Sequence, residues 1–365
     1  VGKDHIAAIS FGGAPMDFSF EKNVGAILHM YLGGQAVGES VADLISGEVN
    51  PSGKLAETIP FSEKDTPAWR YFAPPNDDVE YRESIFVGYR YYETFHVPVK
   101  YPFGYGLSYT SFSYSELNVP EVYSGGKIQI RFKIKNIGKV SGAEIAQLYI
   151  CPIESDVIRS HIELKGFQKI YLHPGEEKEV ILELDERSFS VYDVEKKAFS
   201  MLSGKYQICI GASVHDLQLK ANMEVVGNSY FRNERELFPD YFREQPHGME
   251  ISAEQFYQLL GGEPKHDKEK KRGEYTVYDS YQDVVNVSMF GKIVRGVVHI
   301  GLKIILRGKS ERDPAFKMVK MGVEEGNLEG LIATSGGIAT PKLIDMLVYN
   351  ANKKYLQAFK RLLKK

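Results

Sequence analysis

Residues 127–135, KIQIRFKIK, set Ile128, Ile130, Phe132 and Ile134 against Lys, Gln and Arg at the intervening positions. Successive side chains of a strand point to opposite faces, so this two-residue period makes a strand with one buried and one wet face. Such a strand belongs in an antiparallel sheet. AEIAQLYI (143–150), EVILELD (179–185) and KYQICIGA (205–212) behave similarly. Turn chemistry separates these runs at Asn136–Gly142, His173–Glu176 and Ser203-Gly204. Repeated short strands with glycine-bearing turns predict a β-sandwich over residues 107–227. Nothing in it has the pattern of a catalytic constellation, so its expected role is scaffolding.

The flanks follow other periods. Ile6–Phe11 is an apolar run that ends at Gly12-Gly13, as a buried parallel strand does, and Val24–Met30 is another apolar run that ends near Gly33-Gly34. Gln35–Ser46 then places Val37, Val41, Leu44 and Ile45 at helical spacing, and GEVNPSGKL follows as a loop. Two strands and a helix cannot cover both faces of a parallel sheet. Residues 1–62 are therefore expected to be a partial α/β sandwich fragment whose remaining strands lie upstream; otherwise they expose a large apolar patch. The initial Val1, in place of Met, agrees with a fragment. Phe61–Asp78 reads as a surface loop, with Trp69 as a packing anchor rather than a sugar platform.

Residues 228–365 lose the strand period and are expected to form a helical C-terminal region. Ser252–Leu260 has a capping box in Ser252 and Gln255. KHDKEKKRGE (265–274) is a charged linker. Ser280–Arg307, Asp313–Val323 and Pro341–Leu363 are helical by spacing, with Ser335-Gly336-Gly337 as a turn between helices rather than a phosphate loop. The fold class is thus α+β and multidomain: a partial α/β sandwich, an antiparallel β-sandwich, then a mostly α-helical region.

Forty-five Lys and Arg against 48 Asp and Glu leave a net charge of −3, which argues against a nucleic-acid partner. Lys292, Arg295 and Lys303 interrupt the most apolar helical stretch, so no span of about 18 uncharged residues exists there. Phe359, Leu362 and Leu363 among Lys and Arg form a basic amphipathic tail, read as a docked terminal helix in preference to one lying on an anionic surface. Cys151 and Cys209 sit in apolar strands and read as buried free thiols. They fit a reducing, cytoplasmic setting, and no metal-ligand spacing is present.

Residues 63–106 form a tyrosine-rich connector. Val79–Thr110 alone holds Tyr81, Tyr89, Tyr91, Tyr92, Tyr101, Tyr105 and Tyr109, together with Gly88, Gly104 and Gly106. Tyrosine buries a large apolar face yet needs a partner for its hydroxyl, so this density suits a wall between domains or beside a polar ligand. The motifs YRESIFVGYRYYE and YPFGYGLSYTSF resemble the junction between the second and third domains of family 3 glycoside hydrolases of the β-glucosidase type. Upstream, YLGGQAVGESVADLISGEVNPSGKLAETIPF is similar to the segment before that junction. Downstream, ELKGFQKIYLHPGE and LDERSFSVYDVEKKAF resemble their fibronectin type III-like domain. LIATSGGIATPKLIDMLV is similar to a C-terminal extension of some bacterial members.

The resemblance implies the C-terminal part of a retaining β-glycosidase that hydrolyses β-linked glucosides or short oligosaccharides without a cofactor. Retaining hydrolysis needs two carboxyl groups about 5–5.5 Å apart, one a nucleophile and one an acid/base. In the family these are an Asp on a barrel domain and a Glu early in the α/β sandwich. Neither motif occurs here, so no catalytic residue is assigned in this chain, both are expected upstream, and the isolated chain is expected to be inactive. Glu83 beside Arg82 and near Arg90 is expected to stay ionised in a structural ion pair. Tyr81 and Glu83 are the candidates for lining the edge of a sugar pocket. The alternative is a non-catalytic carbohydrate-binding or assembly module, and either reading allows a homo-oligomer.

Overall fold

A computed structural model describes residues 2–72, 79–227, 233–263, 270–305 and 313–363. The chain divides into two units, Val1–Pro264 and Lys265–Lys365.

At the start of the first unit, β1 (Ala7–Ser10) and β2 (Ala26–His29) pair in parallel, from Ala7↔Ala26 to Ser10↔His29. Helix α1 (Val37–Ser46) follows and stops at Gly47, whose φ of 83° closes the helix in a left-handed cap. The two strands are not buried on both faces as their composition predicts: Ser10 alone is buried. Ile9, Phe11, Ile45 and Val49 are between 36 and 54% exposed. No other described strand pairs with β1 or β2. The uncovered apolar patch expected of a partial sheet is therefore present. Farther on, β3 (Ile59–Pro60) pairs antiparallel with β4 (Val99–Tyr101), and the connector between them contains a short helix, α2 (Tyr89–Thr94).

The sandwich has a three-stranded sheet, β5 (Phe112–Asn118), β7 (Ile128–Asn136) and β10 (Glu177–Leu184), in the order β10-β7-β5 after β6 (Val122–Tyr123) is set aside. Facing it is a five-stranded sheet of order β6-β14-β13-β8-β9, with β8 (Gly142–Pro152), β9 (Glu163–Leu172), β13 (Gly204–Gly211) and β14 (Leu217–Val225); β11 (Ser190–Asp193) and β12 (Ala198–Met201) form a separate hairpin. Ile130, Phe132 and Ile134 of β7 are at most 1% exposed and meet Leu148, Ile150, Ile208 and Ile210 from the other sheet. Each such aliphatic side chain contributes about 1.5–3 kcal/mol by leaving water.

β8 departs from the half-buried pattern: nine of its eleven residues are buried, on both faces. On its outer face Tyr149 packs with Tyr89 and Phe103 of the connector and with Ile162, Cys209 and Val214. Tyr89 and Phe103 thus act as the missing layer over a central strand. Asn136, fully buried, anchors the end of β7: its Nδ2 donates to the carbonyls of Val140 (2.9 Å) and Leu172 (3.0 Å), and its Oδ1 accepts from Thr110 Oγ1 (2.7 Å) and Gly138 N (3.0 Å).

The 228–365 region is not one body. α3 (Glu234–Leu237) and α4 (Ala253–Leu260) belong to the first unit, where Phe238, Tyr241, Met249, Ile251 and Phe256 share a core with Phe86, Tyr91, Tyr92 and Val97 of the connector. Ser252 caps α4 through Gln255 N (3.4 Å), but Gln255 does not close the predicted box. Its Oε1 accepts from Asp240 N (2.9 Å), and Ser252 N donates instead to Asp240 Oδ2 (2.8 Å).

The second unit is helical. The predicted Ser280–Arg307 helix is two, α5 (Tyr281–Asn286) and α6 (Met289–Ile305), because Ser288 takes Gly291 N (2.9 Å) and restarts the helix; Arg307 lies outside the described residues. α7 (Pro314–Glu324) and α8 (Leu328–Thr334) follow. Pro341–Leu363 also breaks, into α9 (Pro341–Ala351) and α10 (Tyr355–Leu363), at Asn352. That side chain bonds Gly273 N, Tyr275 N and the Tyr275 carbonyl at 2.7–3.0 Å. The glycine pair Gly336-Gly337, at positive φ, makes the expected turn between α8 and α9. Of the charged linker, residues 265–269 lie outside the described residues, as do 73–78 of the surface loop.

Candidate functional site

The connector places its two candidate residues by a tight backbone turn. Ser84 N donates to the Tyr81 carbonyl (3.1 Å), Phe86 N donates to the Glu83 carbonyl (2.9 Å), and Ser84 has a φ of 53°. Phe86, 1% exposed, plugs this turn into the aromatic core beside Phe95 and Tyr241. The turn leaves Tyr81 in solvent, 71% exposed, and Glu83 nearly enclosed, 5% exposed.

Glu83 is not in the ion pair that its neighbours suggest. Arg82 turns to Glu80, with Nε and Nη2 2.6 and 2.5 Å from Oε2. Arg82 also donates through Nη1 to the Ile251 carbonyl (2.8 Å) and stacks its guanidinium 4.5 Å above the ring of Tyr71. Glu80 Oε1 accepts from Tyr257 Oη (2.6 Å). Consecutive residues do not share a direction, so sequence adjacency of Arg82 and Glu83 carries no contact. Burial pushes the Glu83 carboxyl above the usual carboxylate range, and its Oε2 has no hydrogen-bond partner. A buried carboxyl that holds its proton can donate a hydrogen bond, which an ionised one cannot.

Tyr81 and Glu83 line the same cavity, of about 330 Å³, with Tyr71, Phe72, Val79 and Glu80 completing much of its wall. The other tyrosines serve as junctions. Tyr91 Oη donates to the Gln245 carbonyl (2.7 Å) and accepts from Gly248 N (3.0 Å), and burial pushes it up to about 12. Tyr89 accepts from Leu164 N of β9 (2.9 Å) and stacks on Phe103 (4.6 Å). Tyr101 donates to Glu21 (2.6 Å), and Tyr109 donates to the Leu44 carbonyl of α1 (2.7 Å). At Gly106 a side chain would meet the Gly53 carbonyl at 2.4 Å, so only glycine permits that approach. Trp69 is 39% exposed, half out of its packing site.

A second cavity, of about 360 Å³, escaped sequence reasoning, because it gathers Phe95 and His96, Arg159 and His161, and Tyr241 and Phe242 from three distant segments. Arg159 is already engaged there, by Glu163 (2.8 Å) and Tyr206 Oη (3.0 Å). Burial, with His96 alongside, pushes the His161 imidazole below its usual value. Among the described residues, no cluster of three or more His, Cys, Asp or Glu is placed to hold a metal ion.

Residues 2–109 match the glycosyl hydrolase family 3 C-terminal domain, and residues 144–214 match the fibronectin type III-like domain. This portion of the chain is similar to the C-terminal part of glycoside hydrolase family 3 proteins. Both matched regions fall within the first unit. Thermostable β-glucosidase B of Acetivibrio thermocellus is 44% identical over 225 residues, 61% of this chain and 30% of that protein. An exo-α-(1→6)-L-arabinopyranosidase of Bifidobacterium breve is 36% identical over 223 residues, 61% of this chain and 29% of that protein. Among solved structures, the GH3 β-glucosidase of Bifidobacterium adolescentis superposes with a TM-score of 0.60 at 35% identity, covering 62% of this chain and 34% of that one. The chain therefore spans about a third of the length of these family 3 relatives.

Proposed function

We propose that this chain forms part of a retaining β-glycosidase of the β-glucosidase type, acting on β-linked glucosides or short oligosaccharides. The observation that carries the reading is the 44% identity to β-glucosidase B, which extends over 225 residues, more than either matched domain alone. The uncovered β1–β2 sheet supports it, since a free-standing binding module has no use for half of a parallel sheet. On this reading the nucleophilic Asp and the acid/base Glu belong to sequence upstream of Val1. Glu80 is a poor substitute for either: Arg82 and Tyr257 take up both of its oxygens. Glu83, whose Oε2 has no partner, offers a hydrogen bond to a sugar hydroxyl at the pocket edge, with Tyr81 supplying a ring face. The free thiols Cys151 and Cys209 support a cytoplasmic setting.

The test is hydrolysis of aryl β-glucosides. The isolated chain is expected to show none. In the longer protein, Glu83→Gln is expected to raise KM several-fold while leaving kcat nearly unchanged. Turnover by the isolated chain that Glu83→Gln abolishes would refute this placement of the machinery. Calorimetric binding of gluco-oligosaccharides by the sandwich residues 107–226 alone would favour a carbohydrate-binding module instead.

A further inference from the structure

Helix α6 carries two apolar rows. Phe290, Val294 and Val298 pack onto the core of the second unit. Met289, Ile293, Val297, Ile300 and Ile304 face water, at 60–83% exposure. Steps of three and four residues keep these five along one side of the helix. α10 repeats the arrangement. Ala358 is its one buried residue, and Arg361 Nε ties it to Asp345 of α9 (2.8 Å). Tyr355, Leu356, Phe359, Leu362 and Leu363 stand 49–69% exposed. Apolar rows of this length on a folded surface mark an interaction site.

Charge identifies what covers them. Residues 265–365 hold twenty Lys and Arg against eleven Asp and Glu, a net of +9, although the whole chain carries −3. The cations concentrate in two acid-free tracts. Between Asp283 and Glu311 there is no acid, and Lys292, Arg295, Lys303, Arg307 and Lys309 occur. After Asp345 there is again no acid, and six cations occur, from Lys353 to Lys365. α6 lies wholly in the first tract and α10 wholly in the second. Two copies of α6 laid together would oppose cations with no acid in either helix to answer them, which disfavours a second copy as the occupant. Spanning is also excluded for these helices: none among the described residues is long and apolar enough to cross a membrane. An apolar row bordered by Lys and Arg fits the boundary between acyl chains and negatively charged headgroups.

We propose that the helical unit binds the surface of an anionic lipid bilayer through the exposed rows of α6 and α10. The apolar side chains enter the headgroup boundary, and the flanking Lys and Arg meet lipid phosphates. The full chain is tested by co-sedimentation with vesicles of phosphatidylcholine alone and of phosphatidylcholine mixed with phosphatidylglycerol. Binding is expected only to the mixed vesicles, weakening about tenfold or more as salt rises. Val297→Glu with Ile300→Glu, and separately Phe359→Glu, are expected to weaken it about tenfold or more, with the far-ultraviolet circular dichroism unchanged because these residues already face water. Lys292→Glu, which leaves the apolar row intact, is expected to weaken binding less and to flatten its salt dependence. Absence of binding to the mixed vesicles, equal binding to both kinds, or binding that survives all of these substitutions would overturn the proposal. So would light scattering that shows a lipid-free dimer dissociated by Val297→Glu, since a second copy would then cover the row.

Discussion

Arg82 serves Glu80, 2.5 Å away, and leaves Glu83, its neighbour in the chain, without a cation. Because Arg82 also holds the Ile251 carbonyl and lies over Tyr71, it joins the connector to the segment that follows the sandwich. Arg82→Met is expected to lower the stability of the first unit by about 2–3 kcal/mol, since Glu80 loses its partner in a largely enclosed place. The fluorescence of Trp69, the single tryptophan, reports this unit directly. A denaturant midpoint unchanged from the parent would contradict the assignment. Arg82→Lys is expected to recover only part of the loss, because an ammonium cannot reproduce the fork and the stacking.

Glu83 gives a pH dependence of definite sign. Between the unfolded carboxyl value, about 4.3, and its raised folded value, the folded state keeps a proton that the unfolded chain has released. Stability then falls as pH rises through that window. Glu83→Gln removes this dependence, so the variant is expected to be the more stable protein at neutral pH and to lose its advantage in acid. Thermal melts of both proteins across the acid-to-neutral range measure it; parallel curves would show that burial does not raise the Glu83 carboxyl in the folded state.

Asn136 makes four hydrogen bonds with no exposure to water. Asn136→Ala strands the Leu172 carbonyl and releases the loop to Val140. A loss of about 3 kcal/mol is expected. Hydrogen exchange at the ends of β7 and β9 locates the damage, and slow exchange there in the variant would count against the role given to this side chain.

Cys151 and Cys209 bring their sulfurs to 3.8 Å on neighbouring strands, in hydrogen-bond contact and without a disulfide. The contact with Cys209 and burial push the Cys151 thiol above its usual range. A disulfide-exchange reagent is expected to find two thiols in denaturant and to react with the native chain slowly, because the thiolate is the nucleophile. Fewer than two thiols in denaturant would mean that the pair is oxidised.

The sandwich was legible because alternation in KIQIRFKIK has one physical solution, and Ile130, Phe132 and Ile134 occupy the core it demands. α2 was not legible. Six residues of aromatic and polar type after Gly88 have no amphipathic period, and the helix exists because Tyr91 and Tyr92 are buried against Phe238 and Tyr241 from far along the chain. The same distance hid the membership of residues 233–263 in the first unit. Of the candidate site, the sequence pointed to the connector and to Tyr81 and Glu83, which share a cavity wall, but not to the surroundings of Glu83. Those surroundings depend on which way Arg82 turns, and Tyr71 and Ile251 decide it.

Asn50 is bound on three sides. Its Oδ1 accepts from Ser108 Oγ and Tyr109 N at 3.0 and 2.8 Å, and its Nδ2 donates to the Ser141 carbonyl at 3.1 Å. One amide thereby rivets the loop after α1, the first residues of the sandwich region at Ser108-Tyr109 and the turn before β8 at a single point. A hinge cannot operate across a joint of that kind. Any opening and closing of this unit must carry these three parts as one plate, with the bending placed elsewhere.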